Sequence, residues 1–271
     1  EFSRDDKTLL CTARNARGFM QPYLLNLASA KGRFIGLDGW DVENAFWRPD
    51  GGIIFERNEG GRTAIYLMRN PESKARLLLA PQGHIEDFDL NEAGTHLAFL
   101  WSDDRRPHDA WLLDLASGKK TGPVTKSLMG GIKPEELSVS KMMDYRSFDG
   151  RVIQALYLRP KILRLGSPPP AIVVVHGGPD WQIFDDFSPL RQALAEAGFA
   201  VLAPNFRGST GYGMEFEDAN NGDWGGGDLK DLIYGVRHLV ATGEIDAGRI
   251  GITGGSYGGF MTLTALTKAP E

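Results

Sequence analysis

The sequence predicts two folds in tandem: part of a β-propeller over residues 1–133, about three blades, then a wound, mainly parallel α/β sheet over residues 134–271. Three observations predict this. The first half repeats itself at intervals of 44 and 42 residues, and the second half alternates apolar strands with amphipathic helices. Near the end, a serine stands among glycines between a strand and a helix.

The repeats are FSRDDKTLL from residue 2, FWRPDGGIIF from residue 46 and FDLNEAGTHLAF from residue 88. Each begins with an aromatic residue, passes through a polar turn and ends in an apolar strand. A second echo follows each: PYLLNL at 22–27, AIYLM at 64–68 and AWLLDL at 110–115. Several short strands per unit at this period are the signature of propeller blades. One blade cannot bury both its faces, whereas stacked blades can. A β-sandwich would also supply such strands, but the regular repeat favours the propeller. Three blades do not close a ring, so the sequence is expected to be a fragment of a longer protein whose N-terminus is missing.

Residues 121–134, TGPVTKSLMGGIKP, are polar and glycine-containing and mark a domain crossing. Residues 151–158 then alternate as a strand after the turn at Phe148, and residues 165–170 read as a loop. AIVVV at 171–175 is apolar on both faces, as a strand buried between helix layers must be. A helix is expected over 189–197, stopped by Gly198, with a further buried strand over 199–203. Asp228 is placed to cap a helix whose stripe is Leu229, Leu232, Ile233, Val236, Leu239 and Val240. Ligands of such sheets sit at the carboxyl ends of the strands.

Residues 249–270 form the chemical centre. A strand at 249–253 and a helix from 259, with Phe260, Met261, Leu263 and Leu266 at helical spacing, flank Gly254, Ser256 and Gly258 in the pattern GxSxG. There the serine is held in a strained turn and its neighbours must lack a Cβ. HGGPD at 176–180 follows AIVVV, and its glycines free backbone N–H groups to stabilise a developing oxyanion together with the N–H of Tyr257. His176 itself is read as fixing that loop. Arg207, in NFRGSTGYG at 205–213, fits a structural ion pair better than a substrate anchor, and DWGGGD at 223–228 packs Trp224 and caps the next helix.

The rest of the composition narrows the function by exclusion. A net charge of −5 without a basic cluster argues against nucleic acid, and no apolar run is long enough to cross a bilayer. Cys11 stands alone, which rules out an internal disulfide and fits a reducing, cytoplasmic compartment. Histidines 84, 96 and 108 are evenly spaced but lack a metal-binding motif, so they read as surface or turn residues. The run Asp103, Asp104, Arg105, Arg106 reads as a solvated loop. No nucleotide-binding loop is present, and neither cofactor nor metal is expected.

Taken together, VVVHGGPD, NFRGSTGYG, GDWGGGDLKD and RIGITGGSYGGFMTLTAL, after propeller-like repeats, resemble the prolyl oligopeptidase family of serine peptidases, nearest its acylaminoacyl-peptidase-like branch. The resemblance implies an α/β-hydrolase domain that cuts short or acylated peptides, and a propeller that restricts entry. It makes Ser256 the nucleophile, Gly178 and Tyr257 the oxyanion donors, and Gly254 and Gly258 the glycines of the elbow. In this fold the acid and base follow the serine, yet all five histidines precede it, so both are expected beyond residue 271 and the fragment itself is expected to be inactive. An esterase on the same fold, or a propeller-based binding protein with an inactive hydrolase domain, are the alternatives. Sheet-edge pairing leaves homo-oligomers open.

Overall fold

The computed structural model describes residues 1–128, 130–161 and 167–270. The loop expected at 165–170 lies partly outside these residues, as does residue 129 of the expected crossing. Contacts divide the chain into two compact units. The first is Glu1–Asp103 with Pro107–Met129 and Gly211–Met214; the second is Asp104–Arg106 with Gly130–Thr210 and Glu215–Glu271.

The first unit is built from three antiparallel meanders. Strands β1 (Thr8–Arg14), β2 (Met20–Asn26) and β3 (Lys31–Phe34) form one sheet in that order. Strands β4 (Val42–Trp47), β5 (Ile53–Asn58), β6 (Thr63–Met68) and β7 (Arg76–Leu79) form the second. The third contains β8 (His84–Leu90), β9 (His96–Asp103), β10 (Arg106–Asp114) and β11 (Lys120–Thr121). The sequence echoes have a common structural meaning, because the three aromatic residues take equivalent pairings: Phe46 opposite Ile54, Phe88 opposite Phe99, and Phe2 in an isolated bridge to Leu9. The first sheet therefore matches the last three strands of the others, with Phe2 marking the place of β4 and β8.

Alternation along β5 explains why the sheets stack. Ile54 packs with Ile65, Leu67, Ile85, Phe88, Leu97 and Phe99 in one core, while Ile53 and Phe55 pack with Leu10, Leu24, Val42 and Met68 in another. Successive side chains point to opposite faces, so the middle sheet is covered on both. This is the stacking of propeller blades.

The second unit centres on a five-stranded sheet of order β12-β13-β15-β14-β16. Its strands are β12 (Ser140–Arg146), β13 (Val152–Leu158), β14 (Ala171–Val175), β15 (Ala200–Asn205) and β16 (Ile250–Gly254). β15, β14 and β16 run parallel, whereas β12 and β13 add antiparallel pairings at one edge. Helices α1 (Pro189–Glu196), α2 (Met214–Glu217), α3 (Gly227–Ala241) and α4 (Tyr257–Lys268) connect or flank these strands. Ser188 caps α1 by accepting from Arg191 N at 3.3 Å, and Gly198 leaves it at φ 90°. Among the described residues, no helix is long and apolar enough to cross a membrane.

Three sequence expectations change. His84 is buried, and its ring meets that of His108 edge-on at 5.8 Å, so it is a packing residue rather than a surface one. In the run at 103–106, Asp103 and Asp104 are also buried; Asp104 accepts from the backbone of Ser140, and its carbonyl from the amide of Gln192. A carboxylate that finds backbone donors need not face water. Finally, Gly226 rather than Asp228 occupies the N-cap of α3, and Asp228 is fully buried within its first turn.

Candidate active site

β16 lies beside β14, pairing Val175 with Gly254, and the chain reverses into α4 within two residues. Ser256 occupies the reversal with φ 54° and ψ −121°. This is a left-handed φ in a non-glycine residue, a conformation that costs about 1–3 kcal/mol and persists only where its surroundings enforce it. The enforcement is steric and hydrogen-bonded. A Cβ on Gly254 would lie 2.6 Å from Val175 O, and one on Gly258 only 2.2 Å from the same oxygen. Gly258 N donates to Gly255 O at 2.8 Å and Phe260 N to Ser256 O at 3.1 Å. Strand and helix thus close on the serine because both flanking positions lack side chains.

The loop after β14 runs alongside. A Cβ on Gly177 would stand 3.4 Å from the Cβ of Ser256. Gly178 has φ 110°, and a side chain there would strike Asp180 N at 2.5 Å. Among the described residues, the backbone N–H groups of Gly178 and Tyr257 donate to no protein group.

His176 holds this loop, as its sequence context suggests. The ring stacks on Phe206 at 4.3 Å, with Nδ1 2.7 Å from Gly177 O and Nε2 2.9 Å from Ser209 Oγ. Burial lowers its pKa to about 4, against the opposing pull of the Gly177 carbonyl, so the ring is neutral near pH 7. A carbonyl only accepts, so Nδ1 carries the proton; Ser209 Oγ, which donates to Phe206 O at 2.6 Å, lies beside the unprotonated Nε2. Asn205 completes the tie by accepting from Ile183 N at 2.6 Å and donating to Ile183 O at 3.0 Å.

Arg207 is structural, not a free anchor. Its guanidinium bonds Asp231 through Nε at 2.9 Å and Nη2 at 2.8 Å, and Asp149 through Nη1 at 3.0 Å. Burial alone would lower its pKa, but the two carboxylates reverse this and raise it. Asp149 sits in the β12–β13 turn and Asp231 on α3, so the cation pins the loop after β15 to two other elements.

The sequence reading missed the environment of the Tyr257 side chain. The phenol donates to Asp228, 29 residues earlier, and Asn220 Nδ2 lies 3.5 Å from the same phenol oxygen. Burial, then the Asp228 carboxylate, push the phenol pKa well above its ordinary value, so it remains a donor. Trp224 meets the Tyr257 ring edge-on at 5.5 Å while staying 57% exposed, and Asp223 accepts from Gly227 N at 2.8 Å at the start of α3. The spacing of DWGGGD within 222–231 was visible, but no local pattern pairs an aspartate with a tyrosine so distant in sequence. His238 stacks on Tyr145 at 6.2 Å. Among the described residues, no group of three or more His, Cys, Asp or Glu side chains is arranged to hold a metal.

Three kinds of likeness to known proteins accompany this geometry. The model of the prolyl oligopeptidase family matches residues 185–271. An uncharacterised peptidase of Bacillus subtilis, YuxL, is 30% identical over 230 residues, which are 83% of this chain and 34% of that protein. A puromycin-hydrolysing peptidase of Mycobacterium tuberculosis superposes with a TM-score of 0.89 at 23% identity, over 99% of this chain and 42% of its own. An acylaminoacyl peptidase of Pyrococcus horikoshii gives 0.79 at 27% identity, over 98% and 42%. The chain thus spans about a third of the length of that curated relative.

Proposed function

The chain belongs to the prolyl oligopeptidase family, and we propose that it carries the nucleophile and oxyanion site of a serine peptidase acting on short or N-acylated peptides. The observation that carries this reading is the strained backbone of Ser256 at the carboxyl end of β16, with Gly177 packed against it. A hydroxyl raised on such a turn is open to a substrate carbonyl, since helix and strand lie beneath it.

In the proposed reaction, Ser256 Oγ attacks the carbonyl carbon and its proton passes to a general base. The carbonyl oxygen becomes an oxyanion that accepts from Gly178 N–H and Tyr257 N–H. Collapse breaks the C–N bond, the amine leaves with the proton returned by the base, and water releases the acyl group from Ser256. Each such donor contributes about 10² to 10³ in rate. Within the second unit, the His176 ring is committed to Gly177 and Ser209, and His238 stacks on Tyr145. The reading therefore assigns the general base to neither of these two rings.

The likeness to a protein named as an acylaminoacyl peptidase supports the choice of N-acylated peptides as substrates. The test is kinetic, on the protein at its full natural length. The reading expects N-acetylated peptide amides to be turned over and Ser256→Ala to lose at least about 10³-fold in kcat. Hydrolysis of simple esters alone would instead make it an esterase, and full activity in Ser256→Ala would remove the assignment.

A further inference from the structure

The N–H of Tyr257 can serve an oxyanion only if the peptide joining it to Ser256 keeps its orientation. That peptide follows a serine at φ 54°, which relaxes unless something outside the turn restrains it. The glycines permit the conformation but do not pull on Tyr257.

Tyr257 is 6% exposed, and its ring is bounded by Phe206 at 6.0 Å, Trp224 at 5.5 Å and Phe260 at 5.4 Å. At its tip the phenol donates to Asp228 Oδ2. Asp228 is fully buried; its Oδ1 accepts from Leu229 N at 2.8 Å, and Asn220 Nδ2 lies 3.4 Å from Oδ2. Asn220 is backed by Gly208, where a Cβ would come within 2.4 Å of its amide nitrogen. A carboxylate taken out of water is costly, and an apolar side chain would fill the same space more cheaply if packing were its whole role. Here it terminates the side chain of the residue that directly follows Ser256.

We propose that Asp228 is a positioning residue: by holding the Tyr257 phenol against α3 it fixes the start of α4, and with it the direction of the Tyr257 N–H. The inference rests on the reading of Ser256 as nucleophile and of that amide as an oxyanion donor. Asp228 touches no reacting atom and acts only through Tyr257.

The experiment compares Tyr257→Phe, Asp228→Asn and the double variant with wild type, in the full-length protein. Tyr257→Phe keeps the ring and its packing, so it tests the contact even if changes at Asp228 impair folding. Its kcat should fall about 10- to 100-fold, the scale of a small misplacement at a reacting centre, with KM little changed. The affinity of a peptide boronate, whose tetrahedral serine adduct mimics the oxyanion, should fall by the same factor. The double variant should be within about two-fold of Tyr257→Phe, because the two changes remove one contact. Tyr145→Phe deletes another buried phenol bond, to Asp231 O at 2.9 Å, and should lower Tm without moving kcat. Unchanged kcat and boronate affinity in Tyr257→Phe, with wild type active, overturn this inference alone. A wild type that forms no boronate adduct at Ser256 overturns it together with the parent reading.

Discussion

Three glycines in five residues surround Ser256, yet they are not equivalent. Gly254 and Gly258 each face Val175 O at distances no Cβ can tolerate, whereas a Cβ on Gly255 would meet nothing within 4 Å. Gly258→Ala should therefore lower stability by about 1–3 kcal/mol or more, the range for forced overpacking, and Gly255→Ala should be near neutral. Thermal unfolding of the two variants checks the contrast; equal losses would mean that the turn is not limited by the β14 carbonyl. The GxSxG spacing was legible from sequence because its cause is local. The role of His176 as a loop residue was legible too, since it directly follows a buried strand. The Asp228–Tyr257 contact was not, because it joins residues on separate helices and leaves no periodic trace.

Among the elements, the strands of the first unit could be read from echoes of sequence, and their aromatic residues fall at equivalent pairings. β12 escaped notice. Its residues, SKMMDYR, lack a clean alternation, and it forms because the turn beginning at Ser147 folds it back on β13. Polar pairs between strands were equally hidden. Glu56 on β5 is 1% exposed, and its pKa is raised to about 8 by burial first and by the Glu43 charge second, with Asn44 opposing. The folded state thus retains a proton that the unfolded chain releases near pH 4.5. The stabilisation is complete below that pH and is lost as pH rises through about 8. Glu56→Gln, which cannot ionise, should raise the unfolding midpoint by an amount that grows from pH 5 to pH 8. An identical pH profile in the variant would show that Glu56 titrates normally.

At the scale of the whole molecule, the change of period suggests a boundary after residue 133, and no such change marks residues 211–214 and 104–106, each of which belongs by contact to the unit opposite its sequence neighbours. Lys126 is exposed in the segment that links the two halves, and no proline follows it. Limited trypsin treatment should cut there first, and first cuts inside β4–β10 or α3 would contradict a boundary after residue 133. The central claim, however, concerns a single oxygen atom. Complete trypsin digestion cuts after Arg249 and Lys268, so Ser256 falls in one peptide, residues 250–268. Treating the full-length protein with a fluorophosphonate and mapping the adduct by mass spectrometry should place the added mass on that peptide, at Ser256. An adduct on any other residue, or none in an active preparation, would contradict the account.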